Sequence, residues 1–222
     1  MAIGCGQPLT QPPGFAGTCV RPARRTHPAE AWLLAPGPGR GGSSEGAPVA
    51  RIGLLSDSHG RAETTRRAVA VLCEAGAERL IHLGDVGNIE VIDALLVSNA
   101  AAADPDATLP AHLVFGNVDW DHHDLGVYAR HLGMHVEHPL GCVKADGVTV
   151  CFTHGDNPRL LDEALARQPK YLCHGHTHQK RDERVGPTRL INPGALFRAA
   201  TYTVALLDTD HDRVTFLPVG DG

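Results

Sequence analysis

The chain has few aromatic residues (5% of 222) and no uninterrupted apolar run of the roughly 18 residues that a membrane-spanning helix needs. It also lacks an excess of positive charge, since 20 Lys and Arg residues face 25 Asp and Glu residues. The net charge of −5 disfavours a broad nucleic-acid groove, because the sign repels a phosphate backbone. With 42% hydrophobic and 20% charged residues, the composition is typical of a globular protein.

Cysteine is present but never in CxxC spacing, which excludes a zinc ribbon and a thioredoxin motif. A chain of this length folds without disulfides, so we expect reduced thiols and a cytoplasmic location. One pair stands apart. A two-residue hairpin turn at Asp146-Gly147 would place Cys142 opposite Cys151, close enough for a bridge. Two reduced thiols remain the expectation for this pair.

Residues 1–48 differ in composition from the rest of the chain. They hold 8 of the 16 prolines and 9 of the 25 glycines, with little periodic apolar surface to bury. We therefore expect a disordered N-terminal extension at 1–48 and a folded domain at 49–222.

Within 49–222, short apolar runs alternate with amphipathic stretches. Strands are predicted at 51–55, 79–83 and 112–115, and helices at 62–75 and 89–97 between them, which is typical of a parallel sheet. A hairpin at 141–153, a helix at 160–167 and strands at 171–173, 179–185, 189–191, 201–207 and 213–217 follow. We expect an α/β fold of two mixed β-sheets, face to face, with helices outside.

Polar clusters follow the predicted strands at the point where each one ends. Strand carboxyl ends share one edge of such sheets, so these side chains are expected to converge there. The candidate metal ligands are Asp57, His59, Asp85, Asn117, His154, His176 and His178.

The chemistry of this set favours metal ions. Oxygen and nitrogen donors of Asp, Asn and His suit divalent ions such as Mn, Fe, Zn or Co. Asp85 could bridge two ions, with Asp57, His59 and one late histidine on the first ion. The second ion would take Asn117, His154 and the other late histidine. Such sets leave positions open for water and substrate, as catalytic sites do.

These motifs resemble those of the calcineurin-like metallophosphoesterases, in particular the small bacterial and archaeal phosphodiesterase branch. The matching blocks are Asp57-Ser-His59, Gly84-Asp85, Gly116-Asn117, Thr153-His154-Gly155 and Gly175-His176-Thr177-His178, followed by an Asn192-Pro193-Gly194-Ala195 turn. The resemblance covers about residues 50–218.

The resemblance implies a four-layer αββα sandwich and a dinuclear site. One ion would be held by Asp57, His59, Asp85 and His178, and the other by Asp85, Asn117, His154 and His176. Two divalent ions, Mn first and Fe, Zn, Ni or Co as alternatives, would convert a bridging water into the nucleophile. His154 and Asn117 are the candidate catalytic side chains, with His154 helping to neutralise the phosphate oxygens.

The implied activity is hydrolysis of small phosphodiesters, with no membrane or nucleic-acid partner and with a homo-oligomer left open. Two alternatives remain open. The same site could act on phosphomonoesters or nucleotides, or the fold could serve as a non-catalytic interaction scaffold, as in the retromer subunit of this fold.

Val118 departs from the pattern of many members, which carry a histidine after the metal-binding Asn. Valine cannot donate a proton to the leaving group, so activity on esters with poor leaving groups is in doubt. His122 and His123 could replace that donor, or they could be solvated loop residues.

Several other side chains have open roles. His82 is expected to orient or pack rather than ligate. Asp119 and Asp156 could fix imidazole tautomers.

Overall fold

The computed structural model describes residues 50–99, 107–145 and 147–220. The predicted extension at 1–48 lies outside these residues. In chain order the elements are β1 (Arg51–Leu55), α1 (Ala62–Glu74), β2 (Arg79–Leu83), α2 (Ile89–Asp93), β3 (Ala111–Val114), α3 (His122–His131), β4 (His135–Val136), β5 (Leu140–Ala145), β6 (Val148–Thr153), α4 (Pro158–Ala166), β7 (Tyr171–Cys173), β8 (Arg181–Val185), β9 (Thr188–Asn192), β10 (Thr203–Asp208) and β11 (Arg213–Pro218).

The strands form two mixed sheets. The first has six strands in the order β11-β10-β1-β2-β3-β4, in which β1 to β4 are parallel and β10 and β11 antiparallel. The second has five strands in the order β5-β6-β7-β9-β8, with β6, β7 and β9 parallel. The prediction of two mixed sheets is confirmed.

Alternation along the strands builds the layers. In β2, Ile81 and Leu83 join the core between the sheets, whereas Leu80 joins the core beneath the helices. Helix α1 turns Ala68 and Leu72, four residues apart, onto that helix-side core. The two sheets share an apolar core, and α4 packs a smaller cluster on the second sheet, which gives four layers, αββα.

Three elements differ from the sequence prediction. Helix α2 ends at Asp93 rather than at 97, and the chain then turns toward an isolated bridge between Ser98 and Thr108. Helix α3 and the two-residue strand β4 were not predicted. Helix α3 carries Gly126 at its centre and few apolar residues, so its periodic signal is weak.

The hairpin register is as predicted, with Cys142 opposite Cys151, but the two cysteines form a disulfide with an S–S distance of 2.01 Å. The expectation of reduced thiols is therefore wrong for this pair, since the paired register already brings both side chains together. Because that expectation supported the cytoplasmic location, the compartment stays a prediction. Among the described residues, no helix is long and apolar enough to cross a membrane.

Candidate metal centre

The seven predicted ligands all follow the carboxyl ends of strands. Asp57 and His59 follow β1, Asp85 follows β2, Asn117 follows β3, His154 follows β6, and His176 and His178 follow β7. Because β1, β2 and β3 are parallel neighbours in one sheet and β6 and β7 in the other, their loops open at one edge of the sandwich.

Backbone hydrogen bonds fix these loops to one another. The Asp57 amide donates to the Gly84 carbonyl at 3.0 Å and the His59 amide to the Asp85 carbonyl at 2.9 Å. In the second sheet, the Gly175 amide donates to the His154 carbonyl at 2.8 Å. The ligand loops are therefore held by the same kind of bonds that hold the sheets.

Asp85 lies between two imidazoles. Its Oδ2 is 3.3 Å from His59 Nε2, and its Oδ1 is 3.4 Å from His154 Nε2. Oδ1 also accepts a hydrogen bond from the Val118 amide at 3.1 Å. A carboxylate with a different imidazole at each oxygen has the arrangement that a bridging ligand needs.

Asp57 is the centre of a first donor group. Ligand atoms of Asp57, His59 and His178 all lie within 4.8 Å of one another, and His178 Nε2 is 3.2 Å from Asp57 Oδ1. The other oxygen, Asp57 Oδ2, accepts from the His176 amide at 3.1 Å. This group contains three of the four residues expected for the first ion, all but Asp85.

His154 belongs to a second donor group with Asp57 and Asp85, and Asp57, which was expected on the first ion alone, is common to both groups. Its Nε2 is 3.2 Å from Asn117 Oδ1, and its ring centroid is 5.2 Å from that of His176. On the other side of the ring, Nδ1 lies 2.8 Å from the Leu83 carbonyl, which can only accept. Nδ1 therefore carries the proton, and the Nε2 lone pair of neutral His154 faces two oxygen acceptors.

The buried polar atoms of this centre fit a bound cation. Asp57 is 0%, His154 1% and Asp85 3% exposed. Asp57 Oδ1 and His59 Nε2 are buried, and although His178 Nε2 lies 3.2 Å from the first and Asp85 Oδ2 lies 3.3 Å from the second, neither atom makes a hydrogen bond with a described residue. Unpartnered buried acceptors are costly, and divalent ions that accept both oxygen and imidazole ligands would satisfy them.

The electrostatics of the histidines and carboxylates are coupled. Burial lowers the pKa of His59. For Asp85, burial raises the pKa, but its hydrogen bond and charge interaction with His154 outweigh burial and bring the pKa below its usual value. The same contacts overcome burial at His154 and raise its pKa. A raised pKa means that His154 takes up a second proton, at Nε2, more readily, and a metal ion would have to displace it, so metal affinity should fall with decreasing pH.

The backbone is strained at the ligands. Five of the seven have φ between 46° and 69°, in the left-handed region that non-glycine residues rarely adopt: Asp57, His59, Asp85, His176 and His178. Gly116 is required for close packing, since a Cβ there would lie 2.1 Å from Asp85 Oδ1 and 2.7 Å from His154 Nε2. Such strain is typical of functional sites.

Asp119 supports the centre without binding an imidazole. Its carboxylate accepts hydrogen bonds from the amides of Val86 at 3.1 Å, Gly87 at 2.8 Å and Gly116 at 2.8 Å, and burial raises its pKa. It therefore ties the loop after β2 to the loop after β3, a role that differs from the tautomer-fixing role considered above. Asp156, the other candidate for that role, is exposed.

His82 packs beneath the centre, as expected. Its Nδ1 accepts from the Gly84 amide at 3.3 Å, which leaves Nε2–H to donate to Ser58 Oγ at 2.8 Å. Burial lowers its pKa to about 3. His82 is therefore a neutral residue that orients the loop after β1.

The two histidines considered as proton donors differ in position. His123 is exposed and pairs with Asp124 at 3.0 Å. The His122 ring lies 5.2 Å from that of His138, which in turn accepts from the Phe115 amide. His122 Nδ1 donates to the Asp119 carbonyl at 3.2 Å, and the role of either histidine as proton donor to a leaving group stays a prediction.

Two contacts were missed by the sequence analysis. The Asn192 amide group donates to the Gly175 carbonyl at 2.8 Å, so the predicted turn at 192–195 holds the loop that carries His176 and His178. The Phe197 ring lies 4.7 Å from the His59 ring. The turn motif at 192–195 indicated that Asn192 has a role, although not its contact with Gly175. No sequence pattern indicated the contact between Phe197 and His59.

A further donor group away from this edge is formed by His112, His135 and Glu137. Its two imidazoles are stacked at 4.6 Å with an interplanar angle of 15°. An ion must lie near the plane of each ring it binds, and stacked rings share no such point. This group therefore does not match a metal site in its present geometry.

The chain is similar in sequence to known phosphoesterases. The calcineurin-like phosphoesterase superfamily domain matches residues 51–212. The phosphodiesterase MJ0936 of Methanocaldococcus jannaschii is 26% identical over 165 residues, which cover 72% of this chain and 93% of that protein.

Solved structures show the same fold. A novel archaeal phosphodiesterase superimposes with a TM-score of 0.66 and 22% identity, covering 76% of this chain and 99% of that one. Yfce, a phosphoesterase from E. coli, gives a TM-score of 0.52 and 22% identity, over 77% of this chain and all of that one.

Proposed function

This chain belongs to the calcineurin-like phosphoesterase superfamily, and on that premise we propose that it is a metal-dependent phosphodiesterase with two divalent ions at the edge described above. The first ion would be held by Asp57, His59, Asp85 and His178. The second would be held by Asp85, Asn117, His154 and His176. The phosphodiesterase of M. jannaschii supports the choice of a diester over a monoester.

One observation carries the proposal. Asp57 Oδ1 and His59 Nε2 are buried without a hydrogen-bond partner among the described residues, and they face the other donors of the first group. A purely structural polar cluster would satisfy such atoms internally. The strained backbone at five ligands supports the same conclusion.

When bound, two divalent ions supply a water of lowered pKa and neutralise charge on the phosphate. The side chains supply orientation. Leu83 holds His154 in the tautomer that turns Nε2 inward, and the Val118 amide fixes one oxygen of Asp85. Because the Val118 side chain cannot donate a proton, we propose that diesters with good leaving groups are hydrolysed fastest.

We further propose Mn as the preferred ion, with Fe, Zn, Ni or Co as substitutes, and a small phosphodiester as substrate. A net charge of −5 supports a small substrate over a nucleic acid. We also propose a cytoplasmic location, and the oligomeric state is left open.

The test is hydrolysis of bis(4-nitrophenyl) phosphate after removal of metals with a chelator. We expect no nitrophenolate release from the stripped protein and recovery on addition of Mn. Asp85→Asn should lose activity by on the order of a hundredfold or more, because even residues outside the ligand set typically contribute 10- to 100-fold.

Asp162→Asn is the matched control, since Asp162 is exposed on α4. It should keep wild-type activity. Full activity of the stripped protein or of Asp85→Asn would contradict the proposal, as would a wild type that is inactive with every one of these metals.

A further inference from the structure

Phe197 and two arginines form a cluster beside the metal centre, which we call the Phe197 cluster (Arg61, Phe197 and Arg198). The guanidinium carbon of Arg61 lies 4.7 Å from the Phe197 ring centroid, and that of Arg198 lies 4.9 Å from it. The same ring is 4.7 Å from the ring of His59. Both guanidiniums are thus one aromatic ring away from a candidate metal ligand.

Neither arginine of the cluster is neutralised. Among the described residues, no carboxylate lies within ion-pair distance of Arg61 or Arg198, and both side chains are exposed. By contrast, Arg189 pairs with both Asp182 and Asp212. Two unpaired positive charges that contact the same ring are not neutralised by the protein, and a bound anion would offset them.

The cluster is held by the segments that carry the ligands. Arg61 comes two residues after His59, and its amide donates to the Ser58 carbonyl at 2.9 Å. Phe197 follows Leu196, whose amide donates to the Ser56 carbonyl at 3.3 Å. Arg198 has a left-handed φ of 46°. The backbone of Arg61 and that of the segment before Phe197 are therefore bonded to the loop that carries Asp57 and His59.

A guanidinium stacked on an aromatic ring keeps its N–H edge free for a planar, two-point contact with phosphate oxygens. Stacking also limits the side-chain motion that otherwise weakens exposed ion pairs. The ring of Phe197 is already in contact with both guanidiniums and with His59, which leaves little of it for a substrate base. The groups that the cluster leaves exposed are guanidinium N–H donors, which bind anions.

We propose that the Phe197 cluster binds a second phosphate group of the substrate. The preferred substrate is then a phosphodiester that carries a further phosphate a few bonds from the scissile one. This inference rests on the proposed function, because the metal centre would place the scissile phosphate beside the cluster.

A pair of chromogenic diesters tests the proposal. Thymidine 5′-(4-nitrophenyl phosphate) and its 3′-phosphorylated counterpart differ only by the second phosphate. With Mn, the wild type should hydrolyse the 3′-phosphorylated diester with a kcat/KM about tenfold higher, mainly through KM, as two exposed arginine–phosphate contacts would give. In Arg61→Gln/Arg198→Gln, the ratio of the two kcat/KM values should fall to about one.

Arg159→Gln removes an exposed arginine on α4 that makes no recorded contact with the Phe197 ring, and it should retain the wild-type ratio. Added salt should lower the ratio, because exposed charge interactions are screened. Equal kcat/KM values in the wild type, or an unchanged ratio in the double variant, would overturn the proposal.

A binding measurement separates this proposal from the proposed function. By calorimetry, thymidine 3′,5′-bisphosphate should bind the wild type about tenfold more tightly than thymidine 5′-monophosphate, and the double variant should bind both equally. If neither diester is hydrolysed, the proposed function fails, while the calorimetric difference still decides whether the cluster binds phosphate. Equal affinities in the wild type would overturn the second-phosphate site.

Discussion

Replacing Asp119 by asparagine keeps the shape of the side chain but removes the charge that joins two ligand loops. In the structure, Oδ1 accepts from the Gly87 amide at 2.8 Å, and Oδ2 accepts from the amides of Val86 at 3.1 Å and Gly116 at 2.8 Å. Asparagine has one acceptor oxygen in place of two. If that oxygen takes the Oδ2 position, the new NH₂ group faces the Gly87 amide, donor against donor.

The expected cost follows from these three bonds. An unsatisfied buried N–H costs about 1–3 kcal/mol, and the two remaining bonds lose the strength that a charged acceptor gives them. We expect the free energy of unfolding to fall by about 2–4 kcal/mol in total. For a domain of this size, about 2–4 °C of Tm is lost per kcal/mol.

The assay is urea unfolding together with Mn titration by calorimetry. Asp119→Asn should be less stable by the amount above and should bind Mn about 10- to 100-fold more weakly, because both ligand loops become less fixed. Asp121→Asn is the control, since Asp121 is exposed and makes no capping hydrogen bond to α3. If both variants match in stability and in Mn affinity, the role assigned to Asp119 is wrong.

Three further predictions concern other parts of the fold. The pKa of His82 is about 3 in the folded protein and ordinarily 6.5, so between these two values only the unfolded chain binds this proton. His82 alone should therefore lower the free energy of unfolding by about 2 kcal/mol as the pH falls from 6.5 to 5. In His82→Gln, the free energy of unfolding should fall correspondingly less over the same pH range. Gly116→Ala should reduce Mn affinity and diester hydrolysis by about a hundredfold, because its Cβ would displace Asp85. Alkylation without reduction should leave Cys142 and Cys151 linked in peptide maps, and Cys151→Ser should lower the free energy of unfolding by about 2–3 kcal/mol.

Each of these three predictions has a control variant or a result that would contradict it. His131→Gln, at an exposed histidine, should keep the wild-type pH dependence, and an equal slope in His82→Gln would contradict the first prediction. Gly220→Ala introduces a Cβ with nothing within 4 Å and should bind Mn normally, whereas normal Mn binding by Gly116→Ala would contradict the second. Alkylation of both hairpin cysteines without a reductant would contradict the third.

The sequence was sufficient to predict the parallel part of the fold and the positions of the seven candidate ligands. Strands such as β1 and β2 are short apolar runs followed at once by polar residues. This pattern lies within a few consecutive residues, so it can be recognised without knowledge of tertiary contacts. The ligands converge because parallel strands end at one edge, which follows from topology alone.

The remaining features depend on tertiary contacts. Helix α3 is stabilised by burial of Leu125 and Ala129 against the first sheet, although its own sequence is a weak helix signal. The tie formed by Asp119 and the contact of Phe197 with His59 join segments whose proximity no local pattern encodes. The disulfide was considered from the hairpin register, but chain length and composition favoured the wrong redox state.

The central claim is that the seven side chains hold two divalent ions. The most direct measurement is the metal content of the purified, Mn-loaded and dialysed protein by mass spectrometry. We predict two ions per chain in the wild type and in Asp162→Asn, and a clear loss of metal in Asp85→Asn, whose carboxylate would serve both ions. A chain that retains no metal, or an Asp85→Asn protein that retains two ions per chain, would contradict it.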